Sequence, residues 1–118
     1  MSEPSAEARL PAHLEVSGLV RRVNAEGGFA TVLAKGEADG GTIFVITSYK
    51  GADFSAYERM PQADGRRLWT RVRQSDDGRD ATWTGYLARR QDQDPDLWIV
   101  ELDVAAAERF IGLPPHAG

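Results

Sequence analysis

Four carboxylates bracket one apolar run in the segment Asp94-Pro95-Asp96-Leu97-Trp98-Ile99-Val100-Glu101-Leu102-Asp103. The run is too short for a helix and carries Trp98 and two β-branched residues, so it reads as a buried strand with acids at each end. On that strand Glu101 and Asp103 project from one face about 7 Å apart. With Asp94 or Asp96 from the preceding loop, they form an oxygen-rich candidate for a hard cation such as magnesium. Glu101 continues the Leu97/Ile99 face into expected core, where a carboxylate must find a partner or keep its proton. A second candidate set, Lys35, Glu58 and Arg59, falls at strand ends beside turns, where binding groups are common. Glu58 shares a face with Phe54 and Ala56, so Glu58 or Glu101 with a raised pKa would suit general acid or base work in an open cleft. Every one of these acids also has a structural use. Asp94 and Asp96 can form turn hydrogen bonds around Pro95, Asp103 can cap a helix, and Glu101 can pair with an arginine or Lys35. Glu58 can pair with Arg22, Arg59 or Lys35. The structural readings outweigh the chemical ones, because perturbed acids are often structural.

A third constellation is aromatic. Trp69, Arg71 and Arg73 alternate along one strand, and Trp and Arg are the residue types that dominate protein-contact hot spots. Nucleic-acid modules combine stacked aromatics with a basic groove, but the formal net charge here is −4. The pairs Arg21-Arg22, Arg66-Arg67 and Arg89-Arg90 all lie near acids. A protein contact is therefore the preferred use of that face. His13 and His116 are the only imidazoles, so a histidine metal or relay site is not indicated. Ser17, Ser48 and Ser55 lack a nucleophile signature. Gly27-Gly28 and Gly40-Gly41 match no phosphate-cradling spacing and read as turns.

Positioning these residues requires a folded domain, and the composition allows one. The chain has 118 residues, 42% hydrophobic and 27% charged, and no cysteine. That excludes disulfides and thiolate chemistry and fits a single globular domain. No apolar run approaches the roughly 20 residues of a membrane span. The acidic first residues are unlike a secretory signal, so a cytoplasmic location is the default.

Val16, Leu19, Val20 and Val23 form one helical stripe over about Ala12 to Glu26, ended by Gly27-Gly28. Strands are expected over Phe29 to Lys35, Thr42 to Tyr49 (apolar on both faces), Phe54 to Arg59 and Arg66 to Arg73, the last at or near an edge. Asp80 caps a helix with the stripe Trp83, Tyr86, Leu87 and Arg90. The strand Leu97 to Leu102 and a short helix Val104 to Ile111, capped by Asp103, complete the chain. The order α-β-β-β-β-α-β-α predicts an α+β domain over 11–112. Its mainly antiparallel five-stranded sheet is covered on one face by the two longer helices, between a flexible lead (1–10) and tail (113–118).

Arg21-Arg22-Val23, Gly27-Gly28-Phe29-Ala30, Leu33-Ala34-Lys35-Gly36, Tyr57-Glu58-Arg59, Trp69, Tyr86-Leu87-Ala88-Arg89-Arg90 and the Asp94–Asp103 segment together resemble a family of small α-proteobacterial proteins grouped as a domain of unknown function, DUF1491. The resemblance covers about residues 10 to 111, and Asp94-Pro95-Asp96-Leu97-Trp98 is its most specific part. It implies one compact cytoplasmic domain and carries no activity, cofactor or catalytic residue. The expectation is a small non-catalytic interaction module. It would use Trp69, Arg71 and Arg73 or an open sheet edge to bind a protein partner or a second copy, with no membrane and no cofactor involved. The rival is a metal-dependent or acid/base enzyme that uses Glu101, Asp103 and Glu58 on a small anionic substrate.

Overall fold

In the computed structural model, which describes residues 10–113, the two longer helices and five strands expected from sequence form, and the expected final helix from Val104 is reduced to a 3-10 turn. Helix α1 spans Ala12–Ala25 and feeds β1, Phe29–Ala34. The meander β2 (Ile43–Tyr49), β3 (Ala52–Pro61) and β4 (Arg67–Ser75) follows. Helix α2, Ala81–Gln93, then leads to β5, Trp98–Asp103, and the chain closes with a 3-10 turn, Ala107–Ile111. Most of the lead and most of the tail expected from sequence, including His116, lie outside the described residues.

The sheet order is β1-β5-β2-β3-β4. Three pairings are antiparallel, but β2 and β5 run parallel, so the sheet is mixed. The physical reason is chain direction. A helix between β4 and β5 carries the chain back across the sheet, and β5 enters between β1 and β2 in the direction of β2. β2 and β5, interior to the sheet, are buried on both faces, as the unbroken apolar run Ile43 to Ile46 requires.

The two longer helices lie on opposite faces of the sheet, which corrects the expected one-sided cover. Val16, Leu19 and Val23 of α1 pack with Val45, Trp98, Val100 and Leu102. Trp83 of α2 packs with Phe44, Ile46, Ala56 and Ile99. Neighbouring strand residues point to opposite faces, so each strand supplies both cores. The 3-10 turn adds Phe110 and Ile111 to the α1 core.

The Asp94–Trp98 segment is a structural latch. The Asp94 carboxylate accepts from the Asp96 N–H at 3.1 Å, an Asx turn around Pro95. The Trp98 indole N–H donates to the Glu37 carbonyl at 2.8 Å, and the Glu37 N–H donates to the Asp96 carbonyl at 3.0 Å. These bonds tie the β1–β2 loop to the start of β5. The loop is further ordered by the Glu37 carboxylate, which the Gly40 N–H and then the Asp39 N–H hold below its ordinary pKa.

Gly36 lies where the two segments touch, and a Cβ there would sit 2.1 Å from the Asp96 carbonyl oxygen. Gly36→Ala is expected to lower stability by about 2–3 kcal/mol. Gly85 is in the middle of α2 and meets only the flexible end of Arg89 at 3.5 Å. Gly85→Ala is expected to raise stability by about 0.5–1 kcal/mol. Urea unfolding of the two variants checks both signs.

Candidate functional site

The acids singled out by spacing do not converge. Glu58 forms an ion pair with Arg90 of α2, so its partner is neither Arg22, Arg59 nor Lys35. Arg59, its neighbour on β3, points to the other face and holds Glu15 of α1 through two bonds of 2.8 and 3.1 Å. Two consecutive residues of opposite charge thus clasp the two helices, one on each face. Glu101 is half-buried and accepts from the Ser48 hydroxyl at 3.1 Å, so a hydroxyl replaces the expected cation. The Asp103 carboxylate accepts from the Lys50 N–H at 2.7 Å and braces the β2–β3 turn, where Lys50 has φ +52°. It is not the cap of the last turn, which begins instead at Ala106 in the left-handed region. Lys35 is exposed just past the end of β1. Among the described residues, no group of three or more His, Asp or Glu side chains is arranged to hold a metal ion.

The Trp69/Arg71/Arg73 face is also divided. The register of β3 with β4 shifts between Ala56 and Tyr57, so Val72 is an extra residue in a bulge. Trp69 and Arg71 stay on the α1 face. Arg73, opposite Ala56, turns to the α2 face, with its guanidinium 4.4 Å from the centre of the Tyr86 ring. Trp69 is half-buried against the α1 core, and the Arg59 guanidinium covers its ring at 4.7 Å. Arg71 lies near Tyr57, whose hydroxyl donates to Glu108 at 3.4 Å. Burial, and then the Glu108 carboxylate, push that hydroxyl above the ordinary phenol pKa.

Two features were not singled out by sequence. The first is a cleft of about 440 Å³ at the carboxyl ends of β2 and β5. Its floor includes Thr47 and Ser55, which face each other across the β2–β3 pairing. A signal for it exists in the sequence. Folding a hairpin about Lys50-Gly51 brings Thr47 and Ser55 together, two hydroxyls on a face that is otherwise Val45 and Tyr57.

The second feature is the contrast between the two sheet edges. β4 presents Arg67, Arg71 and Arg73, and β1 has no charged residue from Phe29 to Ala34. On β1, Phe29 is 73% exposed, Leu33 49% and Val32 41%.

The architecture defines a class: a small α+β domain with a mixed five-stranded sheet between two helices. The chain belongs to the family described as a protein of unknown function, DUF1491, whose model matches residues 10–112. It is similar to a crystal structure of a DUF1491 family protein from Caulobacter crescentus, with 29% identity and a TM-score of 0.75 over 90% of this chain and 98% of that one. An NMR structure of a DUF1491 family protein from the same organism matches at 28% identity and a TM-score of 0.73, covering 92% and 97%. The solution structure of protein Atu0922 from A. tumefaciens matches at 29% and 0.73, covering 92% and 98%. No match was found among curated proteins.

Trp69 is part of the packing, so Trp69→Ala is expected to cost about 2 kcal/mol, a part of the 3–5 kcal/mol typical of a fully buried aromatic. Chemical denaturation checks this. An unchanged midpoint would return Trp69 to the role of an exposed anchor.

Proposed function

We propose that this chain is a small non-catalytic interaction module that joins a second copy of itself along the open edge of β1. The observation that carries the reading is the contrast between the edges. An unpaired strand edge is a template for another strand, and proteins commonly guard such edges with charge. Arginines guard β4, whereas β1 offers an uncharged, mostly apolar edge from Phe29 to Ala34. Antiparallel pairing of β1 with its own copy is self-complementary about a two-fold axis and would extend the sheet to ten strands. The register shift between Val32 and Ala34 leaves Phe29 to Val32 as the regular stretch. A contact this short falls at the small end of specific interfaces, so the dimer depends on concentration. The lack of cysteine fits a reducing, cytoplasmic setting for such a module.

The enzymatic alternative draws less support, because Glu58, Glu101 and Asp103 each have a local partner. Arg71 is exposed, but Trp69 is available to a partner only after the Arg59 cover is displaced.

Light scattering coupled to gel filtration tests the reading. The wild-type mass is expected to rise toward that of a dimer with concentration. The double variant Phe29→Lys, Leu33→Lys is expected to stay monomeric with an unchanged melting temperature, since both side chains are exposed. A wild-type monomer at every concentration, or a double variant that associates like wild type, refutes it.

A further inference from the structure

The cleft at the carboxyl ends of β2 and β5 carries an inference independent of the β1 edge. Three acids, Asp53, Asp76 and Glu108, line it together with the hydroxyls of Thr47 and Ser55, and no Lys, Arg or His does. None of the three acids takes part in an ion pair among the described residues. An acid cluster alone is ordinary surface, but the floor is not. Thr47 is 3% exposed and Ser55 5%, and both project from the α1 face of the sheet, the face on which Val104 and Ala107 form the cleft wall.

The Thr47 hydroxyl makes no hydrogen bond within the described residues. No side-chain oxygen or nitrogen among them is sealed without a partner. The hydroxyl therefore opens onto the cleft. With the rest of its side chain buried, this hydroxyl is a fixed donor and acceptor offered to whatever occupies the cleft. At the rim, the Asp53 N–H donates to the Asp76 carbonyl at 2.7 Å, which fixes the start of β3 against the residue that follows β4.

The setting adds a topological argument. β2 and β5 are the parallel pair of this sheet, and ligands of sheets with parallel strands collect at the strands' carboxyl ends. The volume of about 440 Å³ is within the range of small-molecule sites. A lining with three acids and no basic residue calls for a cationic ligand, and a cleft of this volume takes an organic one.

We infer that this cleft binds a small hydroxylated primary amine. Its ammonium group faces the rim acids Asp53 and Asp76, and its hydroxyl-bearing body hydrogen-bonds to Thr47 and Ser55. The amine class covers amino alcohols and amino sugars alike. A charge-assisted bond from ammonium to carboxylate supplies most of the selectivity over a neutral analogue, about tenfold or more in affinity.

The test is an amide NMR titration of the full chain with ethanolamine and with glucosamine, each set against its neutral counterpart, ethylene glycol and glucose. The expected result is saturable shifts confined to 47–49, 53–55, 74–76 and 104–108, at least about tenfold weaker for the neutral counterpart and weakened by salt. Saturation by ethanolamine alone, by glucosamine alone or by both supports the proposal and identifies the body the site prefers. Asp76→Asn, an exposed change, is expected to reduce affinity severalfold. Thr47→Val keeps the side-chain shape and is expected to reduce it as well; an unchanged amide spectrum elsewhere shows that the fold is kept. Lack of saturable shifts with either amine overturns the proposal. So does equal binding of the neutral counterparts, or binding that is indifferent to Asp76→Asn.

Discussion

The parallel pairing of β2 with β5 is the constraint on which the rest of the structure depends. It places two strands in the sheet interior, where both faces must be covered, and so requires a helix on each side. It also sets the register that puts Glu101 beside Ile46, within reach of the Ser48 hydroxyl, and Asp103 beside Ser48 at the β2–β3 turn. The two carboxylates that look most like chemistry in the sequence thus hold the carboxyl ends of the parallel strands in place. The Trp98 indole and the Asp94 turn secure the other ends.

β3 links this interior to both helices. Glu58 and Arg59 are adjacent and opposite in charge, and strand alternation sends them to opposite faces, where Arg90 and Glu15 wait. All four side chains are partly buried, so removing one member leaves a poorly solvated charge behind. Arg59 also covers Trp69, and Arg90 lies 5.7 Å from the centre of the Phe44 ring. The clasp therefore combines ion pairing with aromatic cover. It uses the residues that a reader of sequence would first assign to a binding site.

Much of the fold was legible in the residues. The stripes of α1 and α2, the Asp80 cap, the doubly apolar β2 and the half-wet edge strand β4 all follow from periodicity and local chemistry. The Asp80 cap is plain in the structure: its carboxylate, held below its ordinary pKa first by the Ser75 hydroxyl and then by the Trp83 N–H, starts α2. What was not legible depends on long-range geometry. A stripe says that a helix covers a sheet, but not which face, since that is set by where the chain crosses. The bulge at Val72 parts Arg73 from Trp69 without any glycine or proline to mark it. The cleft was hidden because Thr47 and Ser55 acquire meaning only as cross-strand partners.

Pairing of two copies through β1 would protect its open edge, and amide hydrogen exchange measured at low and high protein concentration reads that protection. Outward-facing amides of Phe29 to Val32 should exchange quickly in dilute solution and slow as concentration rises, while the Arg67 to Ser75 edge stays fast at both. Equal, concentration-independent exchange along the two edges would rule out such pairing and leave β1 as an ordinary solvated strand.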